Sequence, residues 1–284
     1  MNPLYTLNIL EVPTGRAARN HEKNIIKYAK EIRRATDEDM QLHKLVATLP
    51  RSSLFFSPIS YHEPIVSAPD HILTYREELI HPLTFFKSKA VIDRTMCVVS
   101  SFRHLVQALG VLHDAKIRCI DYQQIGYHKS ETPRIYGFRH TPHSDQSQYW
   151  PIECHMLARM KQHGIAALSR DNIRHFTRLF FQSHTGDGSS RVKNDDTQDP
   201  IDKIVSEFLF LVNKPLHFLE EVVEKNSEKA FVYGIGVFFA NLVSHDGFDM
   251  VPDELVTLIN KCRDVSLKHR PFLCDVICEL DQFS

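Results

Sequence analysis

The chain has 284 residues, 43% of them hydrophobic, with a formal net charge of −1 when histidine is neutral. That apolar content is enough for a sizeable core and excludes wholesale disorder, and the length holds one large domain or two small ones. A near-neutral balance argues against binding nucleic acid or an anionic membrane through bulk electrostatics.

Six cysteines (Cys97, Cys119, Cys154, Cys262, Cys274 and Cys278) are widely spread, mostly among apolar residues, without a C-x-x-C pair. Seventeen histidines show no ligand clustering either, so no metal centre is expected, and the cysteine usage points to a reducing, intracellular compartment. No signal peptide is expected at residues 1–12, and no apolar run is expected to reach membrane-spanning length.

In chain order, Leu4–Val12 carries β-favouring residues with partial alternation, and Pro13-Thr14-Gly15 is a turn signal. Ile25–Tyr28 reads as a second short strand. Thr36 or Asp37 caps a helix with apolar positions Met40, Leu42, Leu45, Val46 and Leu49, ended by Pro50. Leu54-Phe55-Phe56 reads as a strand, while residues 60–93, broken by Pro64, Pro69 and Pro82, give no clear pattern.

From about Asp93 to Asp114 the sequence predicts a helix with the inward stripe Phe102, Leu105, Val106, Leu109 and Leu112. Short strands follow at Ile117–Asp121 and Pro133–Phe138, then a polar loop to Tyr149-Trp150-Pro151-Ile152-Glu153. Helices are expected over 153–161, 170–181, 200–211, 215–225 and 231–242, with a polar loop at 183–203. Amphipathic helices at 252–263 and 272–283 close the chain, with stripes Leu255, Leu258, Ile259, Cys262 and Leu273, Val276, Ile277, Leu280.

The order of these motifs resembles the catalytic core of a protein kinase of the Ser/Thr type. Leu112-His113 through Ile117 looks like the helix end that precedes the catalytic loop, with Cys119-Ile120-Asp121 in the place of His-Arg-Asp. Ile135–Arg139 matches the run around Asp-Phe-Gly, keeping the phenylalanine as Phe138. Pro151-Ile152-Glu153 looks like Ala-Pro-Glu, and Arg270 in Lys268-His269-Arg270-Pro271 matches the arginine that this glutamate pairs with. Val232–Leu242 resembles the central buried helix of the large lobe.

The resemblance implies roles for individual residues. Asp121 would be the base that accepts a substrate hydroxyl proton, and Lys27 with Glu38 the pair that holds nucleotide phosphates. A solvated charged face around a strand and helix explains Lys27 and Glu38 equally well, and Lys23 and Lys30 compete for the lysine's part. Phe138, Glu153 and Arg270 would be structural.

Several positions depart from the family. Gln123 stands two residues after Asp121 in place of a lysine, and Gly126 five residues after it in place of a metal-binding asparagine. Gly137 replaces the metal-binding aspartate, Phe231 replaces the aspartate that leads the central helix, and the glycine-rich phosphate loop is missing. Asp145 is a nearby carboxylate that could stand in. Magnesium needs hard oxygen ligands, and phosphoryl transfer is chiefly positioning and metal electrostatics. ATP and magnesium are the cofactors the family implies, and these losses put their binding in doubt.

The expectation is an α+β, two-lobed protein kinase-like fold over 1–284. A reduced β lobe and its connection fill 1–92. A mainly helical lobe fills 93–284 and carries an insertion at about 165–225, as in kinase-like proteins of large DNA viruses. Its expected function is that of a pseudokinase binding a protein partner. The alternatives are an active, atypical Ser/Thr kinase and an unrelated helical interaction protein.

Overall fold

The computed structural model describes residues 32–57, 59–64, 71–75, 79–118, 120–138, 148–184, 199–245, 248 and 251–283. The expected strands at 4–12 and 25–28, Lys27, Cys119, Asp145 and most of the polar loop at 183–203 lie outside them. The architecture is α+β and mainly helical. The chain divides into two units, each closed by segments from late in the sequence. One comprises residues 1–142, 241–256 and 277–284, and the other 143–240 and 257–276.

The first unit contains β1 (Ile32–Ala35), α1 (Asp37–Ala47), α2 (Ser52–Phe55), β2 (Ile59–Pro64), β3 (His71–Tyr75), α3 (Pro82–Lys87), α4 (Val91–Asp114), β4 (Ile125–Tyr127) and β5 (Pro133–Ile135). Strands β1, β3 and β2 form an antiparallel sheet in that order, with a register irregularity between Ile59 and Tyr61. Helix α1 starts in a capping box: the Asp39 N–H donates to the Thr36 hydroxyl at 3.2 Å, and the Thr36 N–H donates to the Asp39 carboxylate at 3.3 Å. Thr36 is thus the cap. The inward face of α1 is Asp39, Met40, His43 and Val46, whereas Leu45, expected in the stripe, is exposed.

Leu54-Phe55-Phe56 is not a strand. Arg51 takes a left-handed conformation after α1, and the Phe56 N–H bonds to the Ser52 carbonyl at 2.8 Å, closing one helical turn. That turn sends Leu54 outward and buries Phe55 and Phe56, and only Phe56 makes a bridge, to Ile135.

Helix α4 bears out its stripe: Phe102, Leu105, Val106, Leu109 and Leu112 have no exposed surface. Its stretch Asp93–Asp114 is long and apolar enough to cross a membrane by length and composition alone, a correction to the expectation from sequence. Half of the window is buried inside the protein, which is also the pattern of a core helix. The helix ends in a Schellman motif. Lys116 is left-handed, its N–H bonds to the His113 carbonyl, and the Ile117 N–H bonds to the Leu112 carbonyl. After that reversal no strand forms among the described residues of 117–121, contrary to expectation; of these, Ile120 bridges, to Phe138.

His104 on α4 bonds the Leu54 carbonyl through Nε2 at 2.9 Å, and burial holds its pKa below 6.5. A histidine held low binds fewer protons folded than unfolded. Its stabilisation is therefore complete above pH 6.5 and is lost as pH falls through the folded-state value. Urea unfolding at pH 7.5 and at pH 5.5 should show lower stability in acid, with a smaller drop in His104→Gln. An equal drop in both proteins removes His104 as a contributor.

The second unit contains α5 (Ile152–Gln162), α6 (Arg170–His184), α7 (Pro200–Glu207), a 3-10 turn at Leu209–Leu211, α8 (Leu216–Lys225) and most of α9 (Ser227–Val243). Its core joins Ile152, Met156 and Met160 of α5, Ile173, Phe176 and Phe180 of α6, and Tyr233 of α9. Helices α10 (Asp253–Cys262) and α11 (Leu273–Leu280) follow, the latter continued by a 3-10 turn at Asp281–Phe283. Leu255, Leu258, Ile259 and Cys262 are all buried, as their spacing predicts. Cys274 and Cys278, by contrast, are exposed thiols. On α9, Gly236 is required by close packing: a Cβ there would lie 2.7 Å from Cys262 Cβ and 3.0 Å from the Arg263 nitrogen.

Candidate functional site

Within the first unit, the β4–β5 hairpin brings the segment after Asp121 against the segment after β5. Ile125 pairs with Ile135, Gly126 with Arg134 and Tyr127 with Pro133. Beyond the paired residues, the Asp121 N–H donates to the Gly137 carbonyl at 2.9 Å, and the Tyr136 N–H donates to the Gln124 carbonyl at 3.1 Å. Asp121 is 2% exposed. One of its carboxylate oxygens accepts the Gln123 N–H at 3.1 Å, forming an Asx turn, and its carbonyl accepts the Gln124 N–H at 2.8 Å.

This hairpin corrects the register expected from sequence. Gly126 lies inside β4, so the loop from Asp121 to the strand is only Tyr122-Gln123-Gln124. Gln124 is the residue immediately before the strand, and it was not singled out by sequence. Its carboxamide is buried, and neither Oε1 nor Nε2 has a hydrogen-bond partner among the described residues. Its only signal in the sequence was its distance from Asp121, which cannot be read before the strand start is known.

Phe138 is 1% exposed, and its ring stands edge-on to His43 of α1 (5.1 Å between centroids) and to Phe56 (5.5 Å). The Ser57 N–H donates to the Ile135 carbonyl at 3.1 Å, tying the α2 end to β5. Helix α1 thus meets this site through His43. Glu38 sits exposed in the first turn of α1, where an acid complements the helix dipole, and the buried carboxylate of that helix is Asp39, committed to the cap. Lys27 lies outside the described residues.

The family resemblance implies magnesium, and the described residues do not fit it. Asp121 is the carboxylate present at the loop, and one of its oxygens is already engaged by Gln123. Residue 137 offers no side chain, and a Cβ there would lie 2.5 Å from Gln124 Cβ, 2.6 Å from Gln124 Oε1 and 2.8 Å from Asp121 Cβ. Among the described residues no group of three or more His, Cys, Asp or Glu side chains is placed to hold a metal ion.

In the second unit, Glu153 in the first turn of α5 meets Arg270, which lies in the segment before α11. Arg270 donates through one terminal nitrogen to Glu153 Oε1 at 2.8 Å and through the other to Oε2 at 3.4 Å, and both side chains are buried. The guanidinium also bonds the carbonyls of Lys229, Asp264 and Val265, and it stacks over the Tyr233 ring at 5.1 Å. Burial alone would lower the Arg270 pKa, but the charge and hydrogen bonds of Glu153 outweigh it and raise it. Lys229 donates to the Leu267 carbonyl at 2.9 Å, and burial, then the Arg270 charge, hold its pKa down.

No protein-family model matches this chain, and no curated protein matches it.

Proposed function

We propose that the chain is a protein kinase-like protein with an impaired phosphoryl-transfer centre, which acts by binding a protein partner. The observation that carries this reading is the buried, two-pronged pair of Glu153 and Arg270, 117 residues apart in sequence. The family resemblance required that pair from two short motifs alone. A buried ion pair is rarely formed by chance, because desolvating each charge costs several kcal/mol unless geometry and extra hydrogen bonds compensate. Here three backbone carbonyls supply those bonds.

Impairment is supported at the Asp121 loop. The aspartate is kept, but Gly137 has no room for a carboxylate and Gln124 stands before the strand. Catalysis of phosphoryl transfer depends on metal-held charge, so a loop without a second carboxylate loses most of it. An active, atypical kinase is the second reading, and the buried Asp121 carboxylate favours it.

Titration with magnesium-ATP followed by thermal unfolding, together with transfer of labelled phosphate to a generic acceptor protein, separates the two. A ligand at a hundred times its dissociation constant stabilises by about 2.7 kcal/mol. The expected result is no magnesium-dependent rise in Tm and no transfer. Transfer that disappears in Asp121→Asn would establish the active reading instead.

A further inference from the structure

We infer that Gln124 is a plug: together with Asp121 Cβ, its side chain fills the space that any side chain on residue 137 would need, and so keeps a second carboxylate out of the Asp121 loop. The steric argument stands on its own, and the consequence for a cation rests on the kinase-like reading.

Of the three atoms nearest a Cβ on residue 137, two are the Cβ atoms of Gln124 and Asp121, at 2.5 and 2.8 Å. A Cβ moves only with its backbone, so no change of rotamer relieves these contacts. The backbone is itself tied on both sides. Asp121 N–H bonds the Gly137 carbonyl, Gln124 N–H bonds the Asp121 carbonyl, and Tyr136 N–H bonds the Gln124 carbonyl. The third atom is Gln124 Oε1, at 2.6 Å.

Neither end of the Gln124 carboxamide finds a hydrogen-bond partner among the described residues. Burying an unpaired amide is unfavourable. The side chain is nonetheless only 1% exposed, as a space-filling role requires. The absence of a carboxylate at residue 137 is therefore coupled to the neighbouring Gln124 side chain, and aspartate at that position alone cannot build a two-carboxylate set with Asp121.

A cycle of variants tests the coupling: Gly137→Ala, Gln124→Gly and the double variant, each followed by thermal unfolding. Gly110→Ala serves as control, because a Cβ there meets nothing within 4 Å. Gly137→Ala is expected to lower Tm by about 5 °C or more, or to give no folded protein, while the control holds or gains. In the Gln124→Gly background the same change should cost measurably less, although the contact with Asp121 Cβ at 2.8 Å remains and keeps the cost above that of the control. Equal cost in both backgrounds overturns the plug; where Gly137→Ala does not fold alone, urea midpoints are taken in the Gln124→Gly and Gln124→Ala backgrounds instead, and a Gln124→Gly protein that gains no tolerance to Gly137→Ala overturns it too.

Gly137→Asp should show no rise in Tm on titration with Mn²⁺, and a rise overturns the exclusion. Phosphate transfer by the unaltered protein would sink the impaired-kinase reading and leave the steric coupling standing. Additive costs in the cycle would sink the plug and leave that reading standing.

Discussion

Arg270→Met is expected to destabilise the second unit by about 3–5 kcal/mol, because it leaves the Glu153 carboxylate buried without its cation. Glu153→Gln should cost a comparable amount from the other side: the shape is kept, but the guanidinium loses the charge that offsets its desolvation. The pair has no solvent to fall back on, since neither side chain is exposed by more than 1%. The double variant Glu153→Leu/Arg270→Met should then be much less damaging than the two single losses added together. Urea unfolding of the four proteins checks this. Additive losses would mean that the two residues contribute separately, through the three carbonyl bonds and the Tyr233 stack, and not as a pair.

The second large effect is expected at Phe138. Its ring fills the space between His43 on α1 and Phe56 beyond α2, with Ile120 bridged to its backbone. Phe138→Ala removes both edge-on ring contacts and opens a cavity against elements tied together by backbone bonds, so collapse can fill it only in part. The expected loss is about 3–5 kcal/mol. Phe138→Leu keeps much of the volume and should lose roughly half as much. An alanine variant within about 1 kcal/mol of the parent would show that the hairpin is held without the aromatic cluster.

How far the sequence could be read depended on the range of the interaction concerned. The α4 stripe was legible because five fully buried residues repeat at helical spacing along one segment. The α1 start was legible to within one residue, as Thr36 or Asp37, and the reciprocal bonds of Thr36 and Asp39 decide for Thr36. Glu153 and Arg270 were legible only through the family resemblance, since nothing local to either residue names its partner.

Leu54–Phe56 failed because three adjacent apolar residues fit a strand or one helical turn, and the deciding fact is the left-handed Arg51 before them. The strands β2 and β3 were hidden because the three-stranded sheet is defined by pairing of β1 and β2 on the central β3, and Pro64 at the end of β2 reads as a breaker when the pairing is unknown. Gln124 was missed for a related reason. Counting five residues on from Asp121 assumes a loop length, and the early start of β4 at Ile125 shortens it.

The discontinuous make-up of the two units has a consequence for synthesis. Residues 257–276 complete the unit begun at 143, and residues 241–256 with 277–284 complete the unit begun at the N-terminus. A chain emerging from the ribosome therefore exposes α5, with Glu153 unpaired, long before Arg270 is made. A chain stopped after Val256 would lack residues 257–276 of the second unit and would hold the Glu153 carboxylate without its cation.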